Sequence, residues 1–421
     1  MRLLKKCNFI LSGLATLCFV SAAFGGGFSK NSLEDFIKLS SRVHGEFSTN
    51  DNSGTAGGLF GTRETSGKYH NVRLSSVQFG ADFRITGDSH LIAQFVLDGE
   101  GVVLDSVYFL NDVAGGLVLM AGQLAIPLSM EADTSGNHLV MNEKTRTNLG
   151  NSGNKDIRKK SVVLFTTSGI GLNCKYMGKY AGLQVGVYGN DFKDDNTRIS
   201  KTIFSARGHI NPYRNGNNVI HIGGGYFYED RRLSGLPSLG TTDEASKIGS
   251  LPIFGSDRIG IEFALNYGII NIQMEYGFPT AKFGKFHDDC FEGETKKTKR
   301  LSSFYAQVNL NLTCETMKYD DGVFKQADVR NPVNKNGWGA FALAFRYANS
   351  NLNDYSIEKP FDYGKHEEFA AALNWRPNNS LRLTAQYSWF NEKFDLPEAM
   401  RLNGGNTNKY GAFSLKSRFF F

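Results

Sequence analysis

Cysteine is scarce in this chain, with five in 421 residues. Cys7 and Cys18 fall in an N-terminal leader. The remaining Cys174, Cys290 and Cys314 form no CxxC pair and no zinc spacing. An odd number of thiols in an exported chain is not a disulfide framework. Beyond the leader there is no run of about eighteen apolar residues, which excludes a membrane-spanning helix, and a mean hydropathy of −0.30 excludes a helical membrane bundle. No P-loop, dinucleotide fingerprint or G-x-S-x-G nucleophile turn occurs. The sequence therefore offers no catalytic residue, no metal site and no cofactor, and we expect no enzyme. Nor is there a basic cluster with interleaved aromatics, so nucleic acid is not an expected partner. Proline is also sparse, at 9.

Glycine and aromatics are abundant, with 47 Gly, 33 Phe and 17 Tyr. Few prolines beside many glycines and aromatics suit a transmembrane barrel, where half of each strand faces water and the apolar half is diluted.

Residues 1–25 read as a secretory signal. Arg2, Lys5 and Lys6 form its charged start, Phe9 to Val20 its apolar centre, and Ser21, Ala22 and Ala23 a cleavage region. Leu17 before Cys18 is too bulky for a lipidation signal. Removing the leader's three cations lowers the net charge from +6 to +3. An exported chain without a membrane helix is periplasmic, secreted, or a barrel in the outer membrane.

The closing stretch, Tyr410 to Phe421, decides among these. Phe413, Leu415, Phe419 and Phe421 share one strand face, while Ser414, Lys416 and Arg418 share the other. Upstream, the same alternation recurs in sixteen candidate strands between Leu39 and Phe421. In residues 337–348, Phe341, Leu343, Phe345 and Tyr347 alternate with Ala340, Ala342, Ala344 and Arg346. Short and long connections mostly alternate, as periplasmic turns and outer loops do. Thr316 to Asn334 breaks the rule. It should be a periplasmic turn yet is long, so it either hides a strand pair or is an unusual turn. The expected fold is an all-β transmembrane antiparallel barrel over 26–421, of 16 strands by this count, with residues 125–167 as a constriction loop folded inward.

A cation facing lipid at the bilayer midplane costs about 2–4 kcal/mol. Parity accordingly points Arg42, Lys175, Arg207, Arg258, Arg346, Arg382 and Lys416 into the lumen. Glu46, Asp82, Glu262, Glu275 and Glu368 take the same face, and Arg346 is placed to pair with Glu368 on the next strand. His44, His209 and His221 also face inward, where filling the lumen accounts for them better than catalysis does. Trp375 and Trp389 read as interface girdle residues.

Residues 115–144 read GGLVLMAGQLAIPLSMEADTSGNHLVMNEK. This stretch resembles the phosphate-selective porin O/P family at Gly122, Gln123, Pro127, Ser129, Glu131, Thr134, Ser135, Met141, Glu143 and Lys144. Two further blocks, 322–354 and 373–387, resemble it as well. The resemblance implies a sixteen-stranded, trimeric porin whose inserted loop sets the constriction. Where the family often carries lysine before the proline, this chain has Ala125 and Ile126.

Anion passage needs fixed positive charge at the narrowest point. Lys144 and Arg146 are the first candidates, with Arg158, Lys159 and Lys160 behind them. The reading is a bacterial outer-membrane porin for small polar solutes and anions, with mild anion preference, surrounded by outer-membrane lipid and lipopolysaccharide. Two alternatives stay open: a phosphate-selective channel, and a surface adhesin or antigen working through its outer loops.

Overall fold

The computed structural model describes residues 36–52, 67–98, 101–145, 166–191, 199–233, 253–283, 286–287, 290–291, 296–297, 301–354, 361–393 and 407–420. The expected signal lies outside these residues, as do Arg146, Arg158, Lys159 and Lys160.

In chain order the strands begin with β1 (Ile37–Asn52), β2 (Gly67–Arg84), β3 (Ser89–Asp98), β4 (Gly101–Ala114), β5 (Leu117–Ala125), β6 (Ser168–Met177) and β7 (Ala181–Tyr188). They continue with β8 (Ile199–Asn215), β9 (Asn218–Leu233), β10 (Ile253–Tyr267), β11 (Ile270–Phe283), β12 (Phe286–His287), β13 (Cys290–Phe291) and β14 (Lys296–Lys297). The last are β15 (Ser302–Asn311), β16 (Lys318–Asp320), β17 (Val323–Lys325), β18 (Ala340–Asp354), β19 (Phe361–Asn378), β20 (Leu381–Lys393) and β21 (Thr407–Phe420).

Sixteen of these strands form a closed antiparallel barrel: β1 to β11, β15 and β18 to β21. Closure is made by β1 against β21, in register from Arg42↔Phe420 to Asn50↔Ala412. Lipid supplies no hydrogen bonds, and each unpaired backbone group there costs several kcal/mol, so a sheet at membrane depth must close. The tight turns carry the glycines that closure needs. Gly216 and Gly268 adopt φ of 60° and 56°, a left-handed conformation that side chains with a Cβ avoid.

Alternation sorts the faces as expected. Leu172, Leu183, Ile259, Ile261, Phe345, Phe369, Leu415 and Phe419 are exposed on the outside. Their neighbours in sequence, including Asn173, Arg258, Glu262, Arg346, Glu368, Lys416 and Arg418, are buried on the inside. Trp375 stacks on Phe341 at an interplanar angle of 14° and donates from its indole to Trp338 O at 2.9 Å.

An inward side chain can be buried only if something lies inside the ring. Two segments do. Residues 126–145 follow β5 and contain a short helix, Met130–Asp133, capped by Ser129, whose Oγ accepts from Ala132 N. The long connection 312–339 contains β16 and β17, a two-stranded hairpin separate from the wall. The irregular turn is thus a strand pair, but not a wall pair. Its tip is Asp321-Gly322, both at positive φ (56° and 73°), a hairpin-turn chemistry visible in the sequence. Met130, Val140 and Met141 from the first segment pack with Met317, Tyr319, Val323 and Phe324 from the hairpin. Val219, Ala264, Ala344, Ala370 and Ala372 complete this cluster, and the small alanine side chains on the inner wall leave it room.

Candidate functional site

The inner wall holds residues 126–145 chiefly by their carbonyls. Arg258 Nη1 donates to Leu128 O at 3.0 Å, Asn374 Nδ2 to Val140 O at 3.0 Å, and Arg346 Nη1 to Glu143 O at 2.8 Å. Arg418 Nη2 donates to Met141 O at 3.2 Å and Asn142 O at 2.7 Å. Arg382 Nη1 donates to Leu139 O, and Ser205 Oγ to Pro127 O. Guanidinium is suited to this work because it is permanently charged and presents five donors in a fixed fork. The segment's own amides are met in turn: Glu275 Oε1 accepts from Glu131 N at 2.6 Å and Gln386 Oε1 from Asn142 N at 2.7 Å.

Arg207 joins wall, loop and hairpin. Its Nη2 lies 2.8 Å from Glu262 Oε2 and donates to Gly322 O at 2.8 Å, while Nη1 reaches Asp133 Oδ2 at 3.3 Å. Beside it His209 and His221 stack with centroids 4.9 Å apart. His221 lies 2.7 Å from the Tyr319 hydroxyl and 3.2 Å from Glu262 Oε2. These histidines join wall to hairpin, and among the described residues no group of three metal-ligating side chains forms.

The structure places every expected wall cation at inward parity, but it engages each of them. Arg42 donates to Ser135 Oγ at 3.1 Å. Lys175 pairs with Asp321 at 3.0 Å, and Arg258 Nη2 lies 3.9 Å from Glu275. Arg346 pairs with Glu368 at 2.8 Å and Lys416 with Glu143 at 2.7 Å. Lys144 donates to Ala132 O at the end of the short helix, and burial holds its pKa below the ordinary lysine range. Burial likewise raises the Asp133 carboxyl, with Arg207 opposing.

Sequence reasoning missed Arg376, although strand parity alone would have placed it inward, and it put Arg418 on the face of Lys416 without naming it among the wall cations. Glu131 was singled out only as a family match; its carboxylate accepts from Thr145 N and Thr145 Oγ1 at 2.9 and 2.6 Å and so closes the segment on itself.

The inner wall is not uniformly covered. Inward side chains of β8 to β11 and β18 to β21 are largely buried, whereas Asp82, Gln94, Asp105 and Tyr108 on β2 to β4 remain part-exposed. They form a polar strip: Gln78 Nε2 donates to Gln94 Oε1 and to Asp105 Oδ2, each at 3.2 Å, and His90 lies 2.8 Å from Asp82.

The profile of the phosphate-selective porin O and P family matches residues 92–394. The chain belongs to this family. It is similar to Porin O of Pseudomonas aeruginosa, 26% identical over 236 residues that cover 49% of this chain and 51% of that protein. An uncharacterized protein of Caulobacter vibrioides is 26% identical over 138 residues, covering 32% of this chain and 26% of its own length. The chain thus spans about half the length, or less, of these curated relatives.

Among solved structures, the anion-selective porin of Comamonas acidovorans superposes with a TM-score of 0.52 at 11% identity, covering 91% of this chain and 99% of that one. The outer membrane channel DcaP of Acinetobacter baumannii gives 0.51 at 10% identity, covering 91% and 97%. At such identities the likeness is one of fold. Family and fold together make this porin a bacterial outer-membrane β-barrel channel.

Proposed function

We propose that this porin passes small polar solutes and inorganic ions by passive diffusion, with a mild preference for anions, and works as a homotrimer. The observation that carries this reading is the uneven cover of the inner wall. The passage runs along the part-exposed strip of β2 to β4, and residues 126–145 form its opposite bank and set its width, with Lys144 contributing positive charge. Arg42, also part-exposed, faces the same space from β1. Elsewhere wall cations pair with Glu262, Glu275 and Glu368, which cancels much of their field, and fields of paired charges are weak. Hence the preference is mild. The family's description as phosphate-selective and the name of the anion-selective Comamonas porin favour the same sign, and a Vibrio cholerae relative in fold is described in trimer form. No catalytic step enters this reading.

A phosphate-selective channel is the second reading, favoured by the family. Planar-bilayer recordings separate the two. Reversal potentials in a potassium chloride gradient should show modest anion selectivity, and micromolar phosphate should leave chloride current unchanged. Block at low phosphate would favour the specialised channel, and strong cation selectivity would overturn both.

A further inference from the structure

Three apolar side chains and a tyrosine face inward on the part of the wall that the inserted segments leave open. The register sets Leu110 of β4 beside Met120 of β5, and one inward level away it sets Ile92 of β3 between Asp82 of β2 and Tyr108 of β4. Ile92, Tyr108, Leu110 and Met120 all stay part-exposed. Elsewhere large apolar residues on the inner face are covered: Ile203 and Val219 are 0% exposed and Phe227 1%. A porin lumen is ordinarily polar, and apolar surface left in water is a standing cost. Gly122 follows Tyr108 in its row and Gly80 precedes Gln94 in the next, so neither position fills the space beside the strip with a side chain.

A β-bulge aims a carboxylate at this strip. The register of β3 against β4 shifts between Gln94 and Phe95, which leaves Asp105 as the extra residue between Ser106 and Leu104. Unbroken alternation from Phe109 and Val107 would turn Asp105 towards lipid. The bulge turns it inward instead, where Gln78 Nε2 donates to its Oδ2 at 3.2 Å. Asp82 closes the row on the other side, 2.8 Å from His90, with 36% of its side chain exposed. Neither carboxylate is a bare charge: His90 sits against Asp82, and the Arg42 guanidinium on β1 is near enough to act on Asp105. Among the described residues the Tyr108 side chain makes no hydrogen bond and no ring contact, so its hydroxyl and its ring are both available.

We infer that the inner wall of β2 to β5 is a track for neutral saccharides, with a sugar ring face on Ile92, Tyr108 and Met120 and its hydroxyls on Asp82, Gln94 and Asp105. A sugar is built as the wall is: apolar C–H faces, rimmed by hydroxyls that both donate and accept. Carboxylate and amide oxygens accept from those hydroxyls, and the Tyr108 hydroxyl and the Gln94 amide donate to them. An inorganic ion has no use for the apolar strip, and an organic acid would meet Asp82 and Asp105 on its way. The inference rests on the reading that solute passes along this wall, and it names a solute class for it. Individually weak contacts, repeated along the strands, let a sugar both enter and leave.

Conductance of the full-length protein in a planar bilayer bathed in potassium chloride tests the track. Maltotriose at millimolar concentration should lower the current saturably. A polyethylene glycol of matched hydrodynamic radius should lower it less and without saturation. Tyr108→Ala should raise the half-blocking concentration of maltotriose about fivefold, the scale of one lost aromatic contact. Asp105→Asn should raise it about threefold, because a neutral amide accepts more weakly than a carboxylate. Lys179→Gln, on the turn between β6 and β7, should behave as the parent does. Asp105→Asn keeps the side chain's shape, so it carries the test if Tyr108→Ala does not insert. The inference is overturned if maltotriose does no more than the polymer, or if the Tyr108 and Asp105 variants are blocked as the parent is. Without any chloride current the channel reading fails and the track with it; with normal current and no saturable block, the track alone fails.

Discussion

Arg346 Nη2 and Glu368 Oε1 are 2.8 Å apart on neighbouring strands, while Arg346 Nη1 donates to Glu143 O in the inserted segment. One side chain thus cancels a wall charge and anchors the loop. Removing one partner of a buried pair strands the other, at about 3–5 kcal/mol. Arg346→Ala should therefore lower the unfolding free energy of the barrel by roughly that amount, and Arg346→Met with Glu368→Gln by much less. Equal losses in the single and double variants would contradict the pairing argument.

Gly322 tips the hairpin at φ +73°, and a Cβ there would lie 2.7 Å from His209 Cε1. Gly322→Ala should loosen the hairpin by about 1–2 kcal/mol. Trypsin accessibility of Lys318 and Lys325 in the folded barrel reads this directly. An unchanged digestion rate would mean that the tip is not held against His209.

His138 in the inserted segment has its pKa pushed down to about 4 by burial, with Lys325, Arg382, Arg376 and Arg42 adding to the effect. Its unfolded value is about 6.5. As pH falls from 6.5 towards 4, the unfolded chain takes up a proton that the folded chain refuses, so stability drops by roughly 3 kcal/mol at most. Above 6.5 this group contributes no slope. Hydrogen exchange at the amides of 138–142 should quicken at pH 5 relative to pH 7, and His138→Asn should flatten that difference. A pH response that survives the substitution would assign it elsewhere.

Leu415, 44% exposed, sits near the middle of β21 on the face opposite Lys416. Leu415→Arg should cost about 2–4 kcal/mol in lipid vesicles, the expense of a cation on the lipid face. A neutral result would place this face against protein or water.

Much of the barrel was legible in the sequence because a strand's face pattern is local. The step from Lys416 to Leu415 reverses direction wherever the strand lies, so period-two alternation assigned Arg207, Arg346 and Arg382 to the inside without coordinates. The hairpin of β16 and β17 was only half legible. Asp321-Gly322 announces a tight turn, but nothing in a six-residue strand pair says whether it joins the wall or leaves it.

The chain alone thus determined the closed ring, its lipid face and the inward direction of its charges, since each follows from neighbours in sequence. What the ring encloses was decided by tertiary structure. Glu143 O meets Arg346 across 203 positions and Asn142 meets Ser414 across 272. Whether an inward arginine faces the passage or grips a carbonyl depends on such distant partners. Only folding brings them within the roughly 3 Å at which a guanidinium's charge is taken up by a hydrogen bond.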